Sequence, residues 1–114
     1  MGLDQFFYIQ KKGSVKSVLE NGTEVGYLRK AWWIHSLIEG AIGKIEDCEP
    51  VRLMESDIDA VWDGIADAVF KDSTADEENY WFNYEHDLKS LVVALIRMKL
   101  AAHNGEQAWY YADW

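Results

Sequence analysis

The sequence predicts an α+β fold in which a small antiparallel sheet packs against three helices. Aromatic segments with the composition of β-strands lie near both ends of the chain. Between them lie three stretches whose apolar residues recur at helical spacing. Strands and helices that are grouped rather than alternating are typical of α+β architecture. The length of 114 residues corresponds to a single domain over residues 1–114.

The N-terminal strands are predicted from aromatic content and one turn signal. Gln5–Lys11 is rich in aromatic and β-branched residues, and alternation divides its side chains between two faces. Asn21-Gly22 predicts a type I′ hairpin turn, because both residues accept a positive φ. Such a turn would place Val18 opposite Val25 and give three short strands before Tyr27. The aromatic C-terminus is predicted to be a last strand that pairs with this sheet.

Three helices are predicted between these strands. The first covers Arg29–Lys44, and the second begins at Ser56, whose hydroxyl would cap it. The third, Glu85–His103, has an apolar stripe wide enough to be covered on more than one side. We therefore expect it to be the central core helix, ended by Asn104-Gly105. Its flanking apolar residues are Val93, Ile96 and Leu100.

The net charge of −9 is concentrated in one segment. Residues 46–87 contain fourteen acidic and two basic side chains, whereas the stretches on either side are slightly basic. Such a segment repels a phosphate backbone and favours a basic protein surface, so direct nucleic-acid binding is not expected. The single cysteine forms no internal disulfide, and no apolar run spans a membrane, which favours a cytoplasmic protein.

A row of aspartates in this segment is the strongest functional signal. Asp59, Asp63 and Asp67 recur at i, i+4 and i+8, so they share one exposed helix face despite their mutual repulsion. They would imitate the phosphates of a nucleic acid and occupy a basic groove on a partner protein. The alternative is an ordinary solvated face that keeps the protein soluble. The predicted partner-binding residues are Asp59, Asp63, Asp67, Asp76, Glu77, Glu78, Tyr80 and Trp81.

The aromatic residues next to these carboxylates allow two interpretations. Tyr80, Trp81 and Phe82 follow three acidic residues, a composition that suits an interface anchor with an acidic rim. The alternative is that these rings pack beneath the polar loop that the sequence predicts over 71–83.

Residues for metal binding or catalysis show no recognisable pattern. His35, His86 and His103 lie too far apart in sequence for metal-ligand spacing, and Cys48 has no second cysteine beside it. No nucleophile–base pairing and no glycine-rich phosphate motif is present. The sequence thus gives no catalytic residue, metal or cofactor, and it favours a binding protein over an enzyme.

A second candidate site lies at the start of the first helix. Arg29 and Lys30 are cations where the helix dipole disfavours them, so they either pair with the acidic segment or hold a small anionic ligand. In the second case the protein would be a small-ligand or nucleotide-binding protein, conceivably an enzyme. The residues of this alternative site are Asp4, Tyr27, Arg29, Lys30, His35 and Tyr111.

Several short motifs resemble a family of small uncharacterised tailed-bacteriophage proteins. They are the opening M-G-L-D, the stretch Y-L-R-K-A-W-W-I-H, the pair Asp47-Cys48 and the terminal Y-Y-A-D-W. Ala112-Asp113 differs from the small hydroxyl residues of the family's end. The resemblance implies an intracellular phage product without an established activity. The matching positions are Asp4, Tyr27, Arg29, Lys30, His35, Asp47, Cys48, Tyr110, Tyr111 and Trp114.

Acidity and resemblance together suggest a function. We expect a small acidic phage-encoded protein that binds and inhibits a host nucleic-acid-handling protein, for instance a defence nuclease complex of the CRISPR kind. A further alternative is an assembly component that forms homodimers or larger species through exposed tryptophans.

Overall fold

The fold of the computed structural model is a four-stranded antiparallel sheet packed with helices. The structure describes residues 2–14, 16–72 and 78–114, with side chains described outside 68–85. The predicted α+β class is confirmed. The elements are β1 (Asp4–Gln10), α1 (Val18–Asn21), β2 (Thr23–Arg29), α2 (Trp32–Ile42), β3 (Val51–Leu53), α3 (Glu55–Asp72), α4 (Glu78–His103) and β4 (Gln107–Asp113).

The sheet has the strand order β2-β1-β4-β3, so the first and last strands of the chain lie at its centre. The two pair in unbroken antiparallel register from Asp4 opposite Asp113 to Gln10 opposite Gln107. The predicted pairing of the C-terminal strand with the N-terminal sheet is therefore confirmed. A short strand between α2 and α3, β3, completes the sheet beyond β4.

Alternation along β1 and β4 separates a core face from an outer face. Phe7 and Tyr110 are fully buried on the core face, where their ring centroids lie 5.2 Å apart. Helices α2, α3 and α4 all contribute to the core on this side, through residues such as Ile34, Ile58 and Leu95. The outer face has half-buried and exposed side chains instead.

The predicted hairpin at Asn21-Gly22 is wrong, because these residues end a short helix. Ser17 caps α1 by accepting a hydrogen bond from Leu19 N–H, and Gly22 N–H closes the turn on Val18 O at 2.7 Å. Gly22 has φ −75°, outside the left-handed region that a type I′ turn requires. Side-chain hydrogen bonds to the turn thus replaced strand pairing, and two strands rather than three precede Tyr27.

Strand β2 contains a bulge that lets α4 approach the sheet. The register with β1 shifts between Phe7 and Tyr8. A Cβ added at Gly26 would lie 2.7 Å from the Cβ of Ala94 on α4, so only glycine fits this contact without a backbone shift.

The central helix is longer than predicted and less covered. It begins at Glu78 rather than Glu85, so part of the predicted loop 71–83 is helical. Its predicted C-cap is confirmed, since Gly105 has φ +83° and the chain turns there. The expectation that the helix is covered on more than one side is wrong for three residues. Their exposed fractions are 49% for Val93, 47% for Ile96 and 59% for Leu100.

Helix α3 begins one residue earlier than predicted, at Glu55. Asp57, in the first turn, accepts a hydrogen bond from Met54 N–H at 2.8 Å. A first-turn carboxylate that accepts in this way pairs a backbone N–H that has no partner within the helix. The buried stripe of α3 then directs its aspartates outward.

Candidate functional site

The aspartate row of α3 is exposed, as its spacing predicted. Asp59, Asp63 and Asp67 are all exposed, while Ile58 and Val61 on the opposite side are fully buried. A helix rises about 1.5 Å per residue, so successive carboxylates of the row are separated by about 6 Å along the axis.

Lys99 of α4 neutralises the beginning of this row. Its ammonium lies 2.6 Å from Asp59 Oδ1 and 3.0 Å from Glu55 Oε2. Hydrogen bonds to these two carboxylates raise the pKa of Lys99, so the lysine remains charged. The row continues beyond this ion pair through Asp63 and Asp67.

The other five predicted partner-binding residues lie wholly or partly outside the described residues. Asp76 and Glu77 lie outside the described residues. Glu78, Tyr80 and Trp81 belong to the first turn of α4, and their side chains lie outside the described part of the structure.

The residues of the alternative ligand site are divided between the two faces of the sheet. Asp4 and Tyr27 meet on the outer face, where the Tyr27 hydroxyl donates to Asp4 Oδ1 at 2.7 Å. The prediction that Arg29 and Lys30 begin the first helix is wrong, since Arg29 is the last residue of β2, opposite Asp4, and α2 begins at Trp32. Tyr111 is also on the outer face, opposite Phe6. His35 is instead 4% exposed and lies on the core face, apart from the others.

A chain of hydrogen bonds holds His35 inside the protein. Gln5 accepts from Ala31 N–H at 3.0 Å, which fixes its amide so that Nε2 donates to the Tyr110 hydroxyl at 3.1 Å. The Tyr110 hydroxyl lies 2.9 Å from His35 Nδ1, and because its oxygen already accepts from Gln5 we assign it as the donor to this nitrogen. The proton of the neutral imidazole is thereby assigned to Nε2, which faces Glu39 at 3.7 Å.

Burial controls the protonation of His35 and Tyr110, the two titratable groups in this series of hydrogen bonds. Desolvation lowers the pKa of His35, although the Glu39 carboxylate opposes the shift. Burial also raises the pKa of Tyr110 well above its usual range. Both groups are neutral at physiological pH and act as a satisfied polar network in the core. These hydrogen bonds connect the start of α2 to the two central strands.

A third cluster lies where β4 ends. Cys48 Sγ lies 3.3 Å from Asp113 Oδ1 and 3.4 Å from Asp47 Oδ1, and Trp114 N–H donates to the same Asp47 oxygen at 2.9 Å. Cys48 N–H is bonded to Ala112 O, which fastens the 43–50 connection to the strand. Among the described residues, Asp47, Cys48 and Asp113 are the group whose ligand atoms approach one another as those of a metal site would, within 4.8 Å.

Hydrogen bonds and neighbouring carboxylates alter the acidity of this cluster. The hydrogen bond to Asp113 is the main cause that raises the pKa of the Cys48 thiol. A hydrogen bond to Cys48 raises the pKa of Tyr111 to about 12, with burial and the nearby charges adding to it. The thiol is therefore protonated and weakly nucleophilic at neutral pH, despite its exposure.

Sequence reasoning did not group the Cys48 cluster into a site, and of the outer-face aromatic residues it grouped Tyr27 and Tyr111 with Asp4 but missed Phe6 and Tyr8. Asp47 and Cys48 were notable only through the phage resemblance, and their proximity to Asp113 depends on strand register over more than sixty residues. The alternation of Phe6 and Tyr8 was the available signal for the outer face, because it predicted two aromatic side chains opposite the core.

The comparisons with known proteins give no relative. No protein-family model, curated protein or solved structure matches this chain. In the described part of the chain, each helix is too short or too polar to cross a bilayer.

Proposed function

We propose that this chain is a small acidic binding protein whose α3 carboxylates engage a basic surface on another protein. The observation that carries the proposal is the row of exposed aspartates on one side of a rigid helix. Like charges at this spacing weaken a helix by a few tenths of a kcal/mol per pair, so folding alone does not favour them. Recognition by a cationic partner supplies a reason for the row.

The spacing of the row suits a protein that normally binds nucleic acid. Carboxylates about 6 Å apart correspond roughly to two phosphate steps of one DNA strand, each about 3.4 Å along the axis. A groove that binds phosphates would therefore meet a negative charge at about every second phosphate position. Direct binding of this chain to nucleic acid is disfavoured by the same charges.

The resemblance to small phage proteins narrows the proposed partner. A phage product that imitates nucleic acid would act on a host protein that handles nucleic acid, and occupation of its groove would inhibit it. Inhibition of a defence nuclease is the form of this proposal that we favour, because such enzymes carry extended basic channels.

The proposal is tested by neutralising the end of the row that lies beyond Lys99. The variant Asp63→Asn with Asp67→Asn changes the net charge by two and leaves the Lys99 ion pairs intact. The matched control, Glu20→Gln with Glu49→Gln, changes the charge equally at exposed positions outside α3. Each protein is immobilised and exposed to a bacterial host lysate at about 50 mM and about 500 mM salt, and retained proteins are identified.

The expected result has three parts. A nucleic-acid-binding protein is retained by the wild type and the control at low salt, and it is released at high salt because surface charges are then screened. It is lost from the α3 variant. A DNA duplex competes with the wild type for the purified partner. Retention by the α3 variant that is also insensitive to salt would show that the aspartate row is not the binding surface.

A further inference from the structure

The outer face of the sheet is an aromatic surface that the described parts of helices α2 to α4 leave uncovered. Phe6 lies at its centre, with its ring centroid 5.1 Å from that of Tyr27, 6.0 Å from Tyr111 and 6.1 Å from Tyr8. These rings come from three adjacent strands, and that of Tyr27 is 45% exposed. Segment 16–22 covers only the far end of this face, where Gln10 donates to Lys16 O and Asn21 Oδ1.

Carboxylates surround the aromatic rings. Asp4 and Asp113 are opposite each other in the register, and Glu24 is opposite Tyr8. Asp47 joins them through the Cys48 cluster. Register places the cations Arg29 and Arg52 on this face, and Lys30 follows at the end of β2, so four carboxylates compare with three cations among the described residues.

The acidity of the tyrosines reports the same negative potential. The pKa of Tyr27 is raised, first by its hydrogen bond to Asp4, and this outweighs the opposing charge of Arg29. The pKa of Tyr8 is raised by burial and by the charge of Glu24. The pKa of Tyr111 is raised first by its hydrogen bond to Cys48, and then by burial and by the charges of Asp113 and Asp47. Neighbouring carboxylates thus contribute to the raised pKa of all three tyrosines.

We propose that this outer face binds an extended basic protein segment, with an arginine or lysine side chain over the Phe6 and Tyr27 rings. The face of an aromatic ring attracts a cation, and guanidinium groups also stack on it. Asp4 and Asp113 at the margin of the rings would pair with the same or a neighbouring cation. This surface is separate from the α3 row, so the inference does not depend on the function proposed above.

Charge decides between a basic peptide and a single-stranded nucleic acid. Nucleobases stack on aromatic platforms of this kind in sheets that bind single strands. Those platforms are accompanied by a positively charged groove that follows the phosphates. Here the carboxylates Asp4, Glu24 and Asp113 lie at the margin of the platform, where they repel phosphates and attract cationic side chains.

The test uses the whole ¹⁵N-labelled chain and a heptapeptide of alternating glycine and arginine. Binding is followed by amide chemical shifts in NMR titrations. A peptide with citrulline in place of arginine has the same shape without the charge, and a fifteen-residue oligothymidylate tests the nucleic-acid alternative. We expect the arginine peptide to shift the amides of Phe6, Tyr27 and Tyr111, and the other two ligands to leave them unchanged.

Two pairs of variants separate the contributions of ring and charge. Tyr27→Leu removes the ring and should weaken binding about two- to fivefold, the usual size of an exposed cation–π contact, whereas Tyr27→Phe should bind like the wild type. Asp113→Asn should also weaken binding, whereas Glu20→Gln, which removes the same charge at an exposed position away from the rings, should leave it unchanged. Circular dichroism confirms that each variant is folded.

Several outcomes would overturn the inference. Equal binding of the citrulline peptide would exclude recognition of the charge, and unchanged affinity in Tyr27→Leu would exclude the rings. Shifts confined to α3 would place the peptide on the aspartate row instead. Tighter binding of oligothymidylate than of the arginine peptide would assign the surface to single-stranded nucleic acid.

Discussion

Removal of one buried hydroxyl group should destabilise the protein measurably. The variant Tyr110→Phe keeps the ring in the core and deletes the oxygen that links Gln5 to His35. Gln5 is 0% exposed and His35 is 4% exposed, so water cannot replace the lost partner without entering the core. A buried polar group that loses its partner costs about 1–3 kcal/mol.

The expected loss follows from the two groups that become unsatisfied. His35 loses the donor at Nδ1, and Gln5 keeps only its bond from Ala31 N–H. Allowing for partial relaxation, we expect the free energy of unfolding to fall by about 2–4 kcal/mol. For a domain of this size that corresponds to a decrease in Tm of roughly 10 °C. Urea unfolding followed by tryptophan fluorescence measures the first quantity, and differential scanning calorimetry the second.

A matched control lies at the next position of the same strand. Tyr111→Phe deletes the same atom on the half-exposed outer face, where its partner is the exposed Cys48 thiol and water can replace it. Its effect should stay within about 0.5 kcal/mol, as for most surface changes. Equal losses in the two variants would refute the view that the buried chain of hydrogen bonds stabilises the fold. A double-mutant cycle with Gln5→Leu then measures the coupling, which should be at least about 0.5 kcal/mol.

Three further predictions concern backbone fit, pH and thiol reactivity. Gly26→Ala should destabilise by about 1–3 kcal/mol through its clash with α4, whereas Gly40→Ala, where a Cβ meets nothing within 4 Å, should stabilise by about 0.5–1 kcal/mol in urea melts. Because the pKa of His35 is lowered in the folded state, the unfolded chain binds more protons as pH falls through about 6.5. The free energy of unfolding should therefore fall between pH 7.5 and 5.5, and by less in His35→Asn. Cys48 should react slowly with iodoacetamide at pH 8 for an exposed thiol, and Asp113→Asn should accelerate it.

The class and most elements of the fold follow from local patterns. Alternation identified the two faces of β1, and helical spacing identified the buried residues of α2 and α3, including Ile38 and Ile65. The glycine that ends α4 was predicted from its tolerance of a positive φ. These features are determined by residues close in sequence, so the sequence alone is enough to predict them.

The errors arose where distant residues decide the outcome. The Asn21 side chain accepts a hydrogen bond from Gln10, and that contact favours α1 over the hairpin predicted from local propensity. The apolar width of α4 predicted full coverage, but the chain provides no described element over Val93 and Leu100. His35 and Arg29, which are six residues apart in sequence, lie on different faces of the sheet, and spacing alone did not indicate this.

The central position of β1 and β4 also has a consequence for how the molecule assembles. The two strands that hold the sheet together come from opposite ends of the described chain, Asp4 being paired with Asp113. Closing so long a loop costs entropy before any contact compensates for it, so folding should be slower than in a helical bundle of equal length. On the ribosome, the edge of β1 that faces β4 should keep its hydrogen-bonding groups unpaired until residues 107–113 emerge, even where the other edge pairs with β2. We therefore expect the centre of the sheet to close late in folding.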